Sequence, residues 1–143
     1  MSALYVVAWI GAQRVAFDAT RVEAVVDIAM VVPVPLAAAH VVGLAAIRSQ
    51  VITVIDCGVA TGGERGPPTG RAIVTAIDGH RYALRVDHVD DVVSASIRVA
   101  SASVPLGVSW STMADGVIEV AAEFAVVLDP ARLVTNAPSA IAA

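Results

Sequence analysis

Lysine is absent from this 143-residue chain: all nine cationic side chains other than histidine are arginines, set against thirteen acids for a net charge of −4. A binder that tracks phosphates draws its affinity from clustered cations, so this balance argues against nucleic acid as a partner. Aromatics make up only 4% of the residues, and Phe17, Tyr82, Trp110 and Phe124 are scattered instead of interleaved with arginines as on a base-stacking sheet. The single cysteine, Cys57, permits neither an internal disulfide nor a multi-thiolate metal site and fits a reducing compartment. The opening stretch MSALYVVAWIGAQR lacks the positive region of a secretory signal. A cytoplasmic location is expected.

Catalytic signatures are missing as well. The chain has no Gly-x-Ser-x-Gly elbow, no glycine-rich loop ending in lysine and no histidine pair at ligand spacing. Cys57 and His40 lie in the same half and make a Cys/His nucleophile conceivable, but a lone cysteine after an apolar strand more often serves as a small core hydrophobe. Asp87, His88, Asp90 and Asp91 form the densest polar cluster, yet they lack the regular spacing of a calcium loop. No catalytic residue, metal or cofactor is expected.

What is present is apolar: 57% of residues against 15% charged. So much apolar surface has to face inward or toward a partner. A chain of this length can bury roughly 68% of its unfolded surface as one unit, which leaves room for a sizeable core. The run Ile28 to Ile47 carries no formal charge over a length that could span a bilayer. Pro33 and Pro35 disfavour a helix there, and a buried loop followed by a strand is expected instead of a membrane span.

The chain also repeats itself. Tyr5 to Val26 aligns without gaps on Ala72 to Val93, an offset of 67, with Val7/Val74, Ile10/Ile77, Arg14/Arg81, Ala16/Ala83, Val22/Val89, Val25/Val92 and Val26/Val93 identical. A second echo, VITVID at 51–56 against FAVVLD at 124–129, has an offset of 73. Two echoes in the same order indicate an internal duplication with a period too long for a solenoid. Short β-branched runs between turn residues predict ten strands, at 4–10, 14–18, 22–28, 43–47, 50–56, 71–78, 80–86, 89–95, 115–121 and 123–129. The valine triplets at Val22, Val25, Val26 and Val89, Val92, Val93 predict a helical turn or bulge leading into the third strand of each half. TGGERGPPTGR at 61–71 reads as a linker, Asp129 and Pro130 as the start of a short helix to Val134, and 136–143 as a frayed tail. Arg48 directly follows the uncharged run VVGLAAI; it is either an exposed turn residue or the partner of Asp56, Glu23 or Asp91.

The order of these features resembles the CheW family, the adaptor domain of bacterial chemotaxis signalling. The residues that carry the resemblance are LYVVAWIGAQRVAFDATRVEAVV, GLAAIRSQVITVID from Gly43 to Asp56, DHVDDV from Asp87 to Val92, and FAVVLDPARLV; together they span residues 4 to 135. Ala46 and Ser49 stand where the family usually has Asn and Gly, and Thr53 where a proline is common. The resemblance implies an all-β fold of two intertwined five-stranded SH3-like barrels related by a pseudo-twofold axis, one per repeat, with subdomains of roughly 15–85 and 1–14 plus 86–135. It implies a non-enzymatic scaffold that couples chemoreceptors to a CheA-type histidine kinase, recruited to membrane receptor arrays without inserting into the bilayer. Its partners would be the kinase regulatory domain and the receptor's cytoplasmic hairpin tip. Carried over by position, Val22, Gly43, Arg48, Val89 and Val92 are the partner-binding candidates, with Gly43 allowing close backbone approach. Alternatives are a CheW-like protein without kinase coupling, in an assembly or competitor role, and a small hydrolase built on Cys57.

Overall fold

The computed structural model describes residues 2–98, 110 and 113–135. Ten strands follow one another: β1 Ala3–Ile10, β2 Gln13–Asp18, β3 Ala24–Ile28, β4 Val41–Ile47, β5 Gln50–Asp56, β6 Gly70–Ile77, β7 His80–Arg85, β8 His88–Ala95, β9 Ala114–Val120 and β10 Glu123–Leu128. Each lies within two residues of its predicted bounds. Two short helices, α1 Cys57–Ala60 and α2 Pro130–Val134, follow β5 and β10. The second was predicted from its Asp-Pro start, and Asp129 does cap it by accepting from the Ala131 N–H. The first was not predicted. Asp56, the equivalent of Asp129 at offset 73, caps α1 in the same way through the Val59 N–H.

The strands form two five-stranded sheets, ordered β8-β1-β2-β10-β9 and β3-β6-β7-β5-β4. Adding five to each strand number of the second order, or subtracting five where needed, reproduces the first. The registers agree residue by residue: Tyr5 faces Asp18 as Ala72 faces Arg85, and Val126 faces Val15 in parallel as Thr53 faces Tyr82. Both offsets seen in the sequence, 67 and 73, are therefore offsets of the fold. Each sheet then closes on itself. Val32, beyond β3, pairs with Leu44 on β4, and Arg98, beyond β8, pairs with Val117 on β9. These are the two barrels.

One repeat per barrel is incorrect, however. The first barrel takes its β1–β2 hairpin from the first repeat and β8, β9 and β10 from the second; the second barrel runs from β3 through β7. Consequently β2 belongs wholly with β1, and a boundary drawn between residues 14 and 15 cuts through a strand. The expected split had set residues 1–14 with 86–135 but left most of β2 on the other side, whereas pairing keeps the β1–β2 hairpin whole.

Three cores follow from the pleat. Tyr5, Ala16, Ile118, Ala125 and Val127 fill the first barrel. Ile28, Ala45, Ile52, Val54, Ala72, Val74 and Ala83 are among those filling the second. Between the barrels lies the largest core, where Val6, Ala8, Val15 and Phe17 of the first meet Ile55, Ile73 and Leu84 of the second, with Cys57 and Leu133 from the helices. β1 is thus buried on both faces, which is why it reads YVVA without alternation.

Two loops depart from expectation. Residues 29–39 were expected to be buried, but Met30, Val32 and Leu36 are exposed, Leu36 completely and at φ 62°. Pro35 and Leu36 form a turn closed by the Ala37 N–H donating to the Val34 carbonyl, which holds the Leu36 side chain out in solvent. The 61–71 segment is not a free linker: Gly66 N–H donates to Asp56 and the Arg65 guanidinium donates to the Ala39 carbonyl. A helical turn does precede β3, but at Ala19–Arg21, ahead of the valine triplet whose Val25 and Val26 lie in the strand; within β8 the irregularity is a bulge in the pairing with β1, opposite Val6 to Ala8. The tail at 136–143 lies outside the described residues.

Candidate functional site

Arg48 and Ser49 form the two-residue turn between β4 and β5, both left-handed at φ 51° and 67°. Such a turn matches the twist of its strands and lifts its central side chains away from the sheet. Arg48 is accordingly exposed and has no ion-pair or hydrogen-bond partner among the described residues. Of the carboxylates considered for it, Asp56 caps α1, and Glu23 is held by Arg81 at 2.7 Å. Asp91 is exposed on β8 in the other barrel.

Beneath Arg48 the mouth of the second barrel opens into a cavity of about 290 Å³. Ala24, Val26, Ile47, Ile52 and Val74 give it an apolar floor, and Glu23, Gln50, Arg81 and Arg48 form its rim. Arg81 also donates to the Gln50 side chain at 3.2 Å, so the rim is held rigid except at Arg48. Glu23 and Arg81 cancel in charge. The mouth therefore presents one unmatched positive charge over an apolar floor, which suits a partner surface carrying an apolar side chain next to an acid.

The other candidates divide. Val22 follows the 3-10 turn, and both it and its equivalent Val89 are half-buried against the core between the barrels. Val92, on edge strand β8, is 57% exposed. Gly43 is buried, and the close approach it permits is made by this chain's own Val32 carbonyl, which a Cβ would strike. Gly116 sits in the same relation to the Arg98 carbonyl. Both glycines make room for the strand that closes a barrel. Gly43 and Arg48 thus stand on the second barrel, and Val89 and Val92 on an edge of the first. Arg81, Gln50 and the apolar floor were not singled out from the sequence, although the repeated Arg14/Arg81 pair carried the signal.

The groups considered for chemistry are otherwise engaged. Cys57 is fully buried, and burial, reinforced by the charge of Asp56, pushes its thiol far above the ordinary range. His40 is buried with Nε2 at 2.7 Å from the Val134 carbonyl. Asp87 accepts from Gly11 N–H and pairs with Arg85 at 3.1 Å, and Asp90 accepts from the Trp9 indole at 2.8 Å and pairs with His88 at 2.9 Å. Among the described residues no group of His, Cys, Asp and Glu side chains is arranged to hold a metal ion. Nor is any of their helices long and apolar enough to cross a membrane.

The family model of the CheW-like domain matches residues 4–137. The chain belongs to the CheW-like family. Among solved structures, the scaffolding protein TtCheW from Thermoanaerobacter tengcongensis superposes with a TM-score of 0.74 at 20% identity, covering 90% of each chain. At that identity the likeness bears on the fold, and the CheW-like topology of paired barrels is the one described above. No curated protein is similar enough to count as a relative.

Proposed function

We propose that this CheW-like chain is a non-enzymatic adaptor of chemotaxis signalling that couples chemoreceptors to a CheA-type histidine kinase. The observation that carries this reading is Arg48, an unpaired cation lifted over an apolar mouth in a fold whose family consists of scaffold domains. Arg48 and Val92 are the contact residues for the receptor's cytoplasmic hairpin tip. Val22 and Val89 act from beneath by setting how the barrels sit together, and Gly43 keeps the second barrel closed. The kinase's regulatory domain docks on other surfaces, so coupling is a matter of geometry within an array and not of bond making.

Pull-down of receptor cytoplasmic fragments and of the kinase regulatory domain tests this. Arg48→Glu and Val92→Asp should each weaken receptor capture at least ten-fold, leave kinase capture intact and leave the melting temperature unchanged. Receptor capture at parental strength by both variants would refute the assignment. Receptor capture without any kinase capture by the parent would replace coupling with an assembly or competitor role. For the hydrolase alternative the expected result is negative: the buried Cys57 should resist iodoacetamide at neutral pH until the protein is unfolded.

A further inference from the structure

The two barrel mouths share one backbone and differ most in one ring. In the first barrel Trp9 lies opposite Arg14, and the Arg14 guanidinium stacks 4.9 Å from the indole centroid. The indole N–H donates to Asp90. In the second barrel the equivalents of Trp9, Arg14 and Asp90 are Ala76, Arg81 and Glu23, with Ala76 opposite Arg81 in the same register. No ring stands there, so Arg81 and Glu23 bond directly across the rim of the cavity.

We infer that the open mouth of the second barrel receives a tryptophan or tyrosine side chain from a protein partner, next to an acidic residue that pairs with Arg48. The inference rests on the adaptor reading and names what the mouth recognises. The first barrel is the internal precedent, because an arginine and a carboxylate at the equivalent positions there already hold an indole of this chain. Size agrees. Pockets for drug-sized molecules run to about 300–1,000 Å³, and about 290 Å³ open at the top suits one large side chain better than a cofactor. Glu23 commits only Oε1 to Arg81, which leaves Oε2 for an indole N–H or a phenol O–H. That polar handle is why tryptophan and tyrosine fit better than phenylalanine. Arg48, whose equivalent in the first barrel is Ala121, has no counterpart in the filled mouth. Its free charge selects the acid beside the ring.

Titration of the full chain with acetyl-Asp-Trp-amide, followed by amide chemical shifts, tests the assignment. Saturable shifts should centre on Val26, Arg48 and Val74. Acetyl-Asp-Ala-amide should bind at least ten-fold more weakly. Arg48→Glu, at an exposed turn that leaves folding intact, should weaken acetyl-Asp-Trp-amide and strengthen acetyl-Lys-Trp-amide. Ala76→Trp, which supplies the missing ring, should abolish binding, and an unchanged or raised melting temperature would show that the ring has seated. Equal affinity for the Trp and Ala peptides, shifts centred elsewhere, or indifference to Arg48→Glu would overturn the inference. If the dipeptide fails while receptor capture persists, the mouth assignment falls and the adaptor reading stands.

Discussion

The two barrels hold the same register at nearly every strand pair, the bulge between β1 and β8 excepted, yet their rims have diverged: Trp9 stands against Ala76, Ala121 against Arg48, Glu123 against Gln50. At the shared core the replacements are small, such as Phe17 for Leu84 and Leu128 for Ile55, because each of these side chains packs against the other barrel. A rim residue touches only its own mouth and solvent. The frame is therefore constrained from within, while the rims are free to specialise, one filled by its own tryptophan and the other left open.

The comparison is broken most completely by separating the repeats. Each barrel needs a hairpin from one repeat and three strands from the other. Residues 1–66 and 67–143 expressed apart should show no cooperative melting, and the two coexpressed should reassemble into a species that melts cooperatively. Two independently melting halves would mean that the exchange of hairpins is not how the chain folds.

Next in size are the closing glycines. Gly43→Ala and Gly116→Ala each drive a Cβ into a carbonyl that closes a barrel, and each should cost about 2–3 kcal/mol in urea denaturation, at the upper end for overpacking. A large cost at one and none at the other would show that the barrels close differently.

The valines sharpen the distinction between frame and surface. Val22→Asp and Val89→Asp place a carboxylate against the shared core and should cost roughly 2 kcal/mol or more, whereas Val92→Asp on the exposed edge should stay within about 0.5 kcal/mol. Equal melting temperatures for all three would remove the assignment of Val22 and Val89 to the frame.

The smallest effect is a gain. Ala121 and Ala122 adopt the same left-handed pair of angles as Arg48 and Ser49, φ 51° and 67°, without asparagine or glycine to ease them. Replacing both with Asn-Gly should stabilise the chain by about 0.5–1 kcal/mol. Ser49→Gly should do the same in the other barrel while leaving Arg48 in place. Loss of stability in either would show that the turn is held by contacts other than its own backbone.

The strands were legible because β-branched runs between turn signals need little context. The capped helix α2 was legible from Asp129 and Pro130. Its twin α1 was not, since Cys57-Gly-Val-Ala is too short to show a helical period; only Asp56, read against Asp129, betrays it. A repeat reports which segments are alike and not which ones bond, so the place of β2 beside β1 needed the sheet order. Exposure misled in both directions: the apolar stretch around Leu36 faces solvent, and Val22 leans inward. Of the site, Arg48 and its turn were visible in the sequence. The cavity below was not, because its lining is gathered from five strands far apart in the chain.

The sheet order also sets a timetable. The second barrel is continuous from Ala24 to Arg85, so at about 5–20 residues per second it leaves the ribosome whole within seconds. The β1–β2 hairpin emerges earlier but finds its mates β8, β9 and β10 only at the end of synthesis. During that interval Val6, Ala8 and Phe17 can rest against Ile73 and Leu84 on the back of the finished barrel. The contiguous half thus offers the interrupted one an apolar surface to rest on, and the pairing left for last is the long-range one, of β8, β9 and β10 with a hairpin made first.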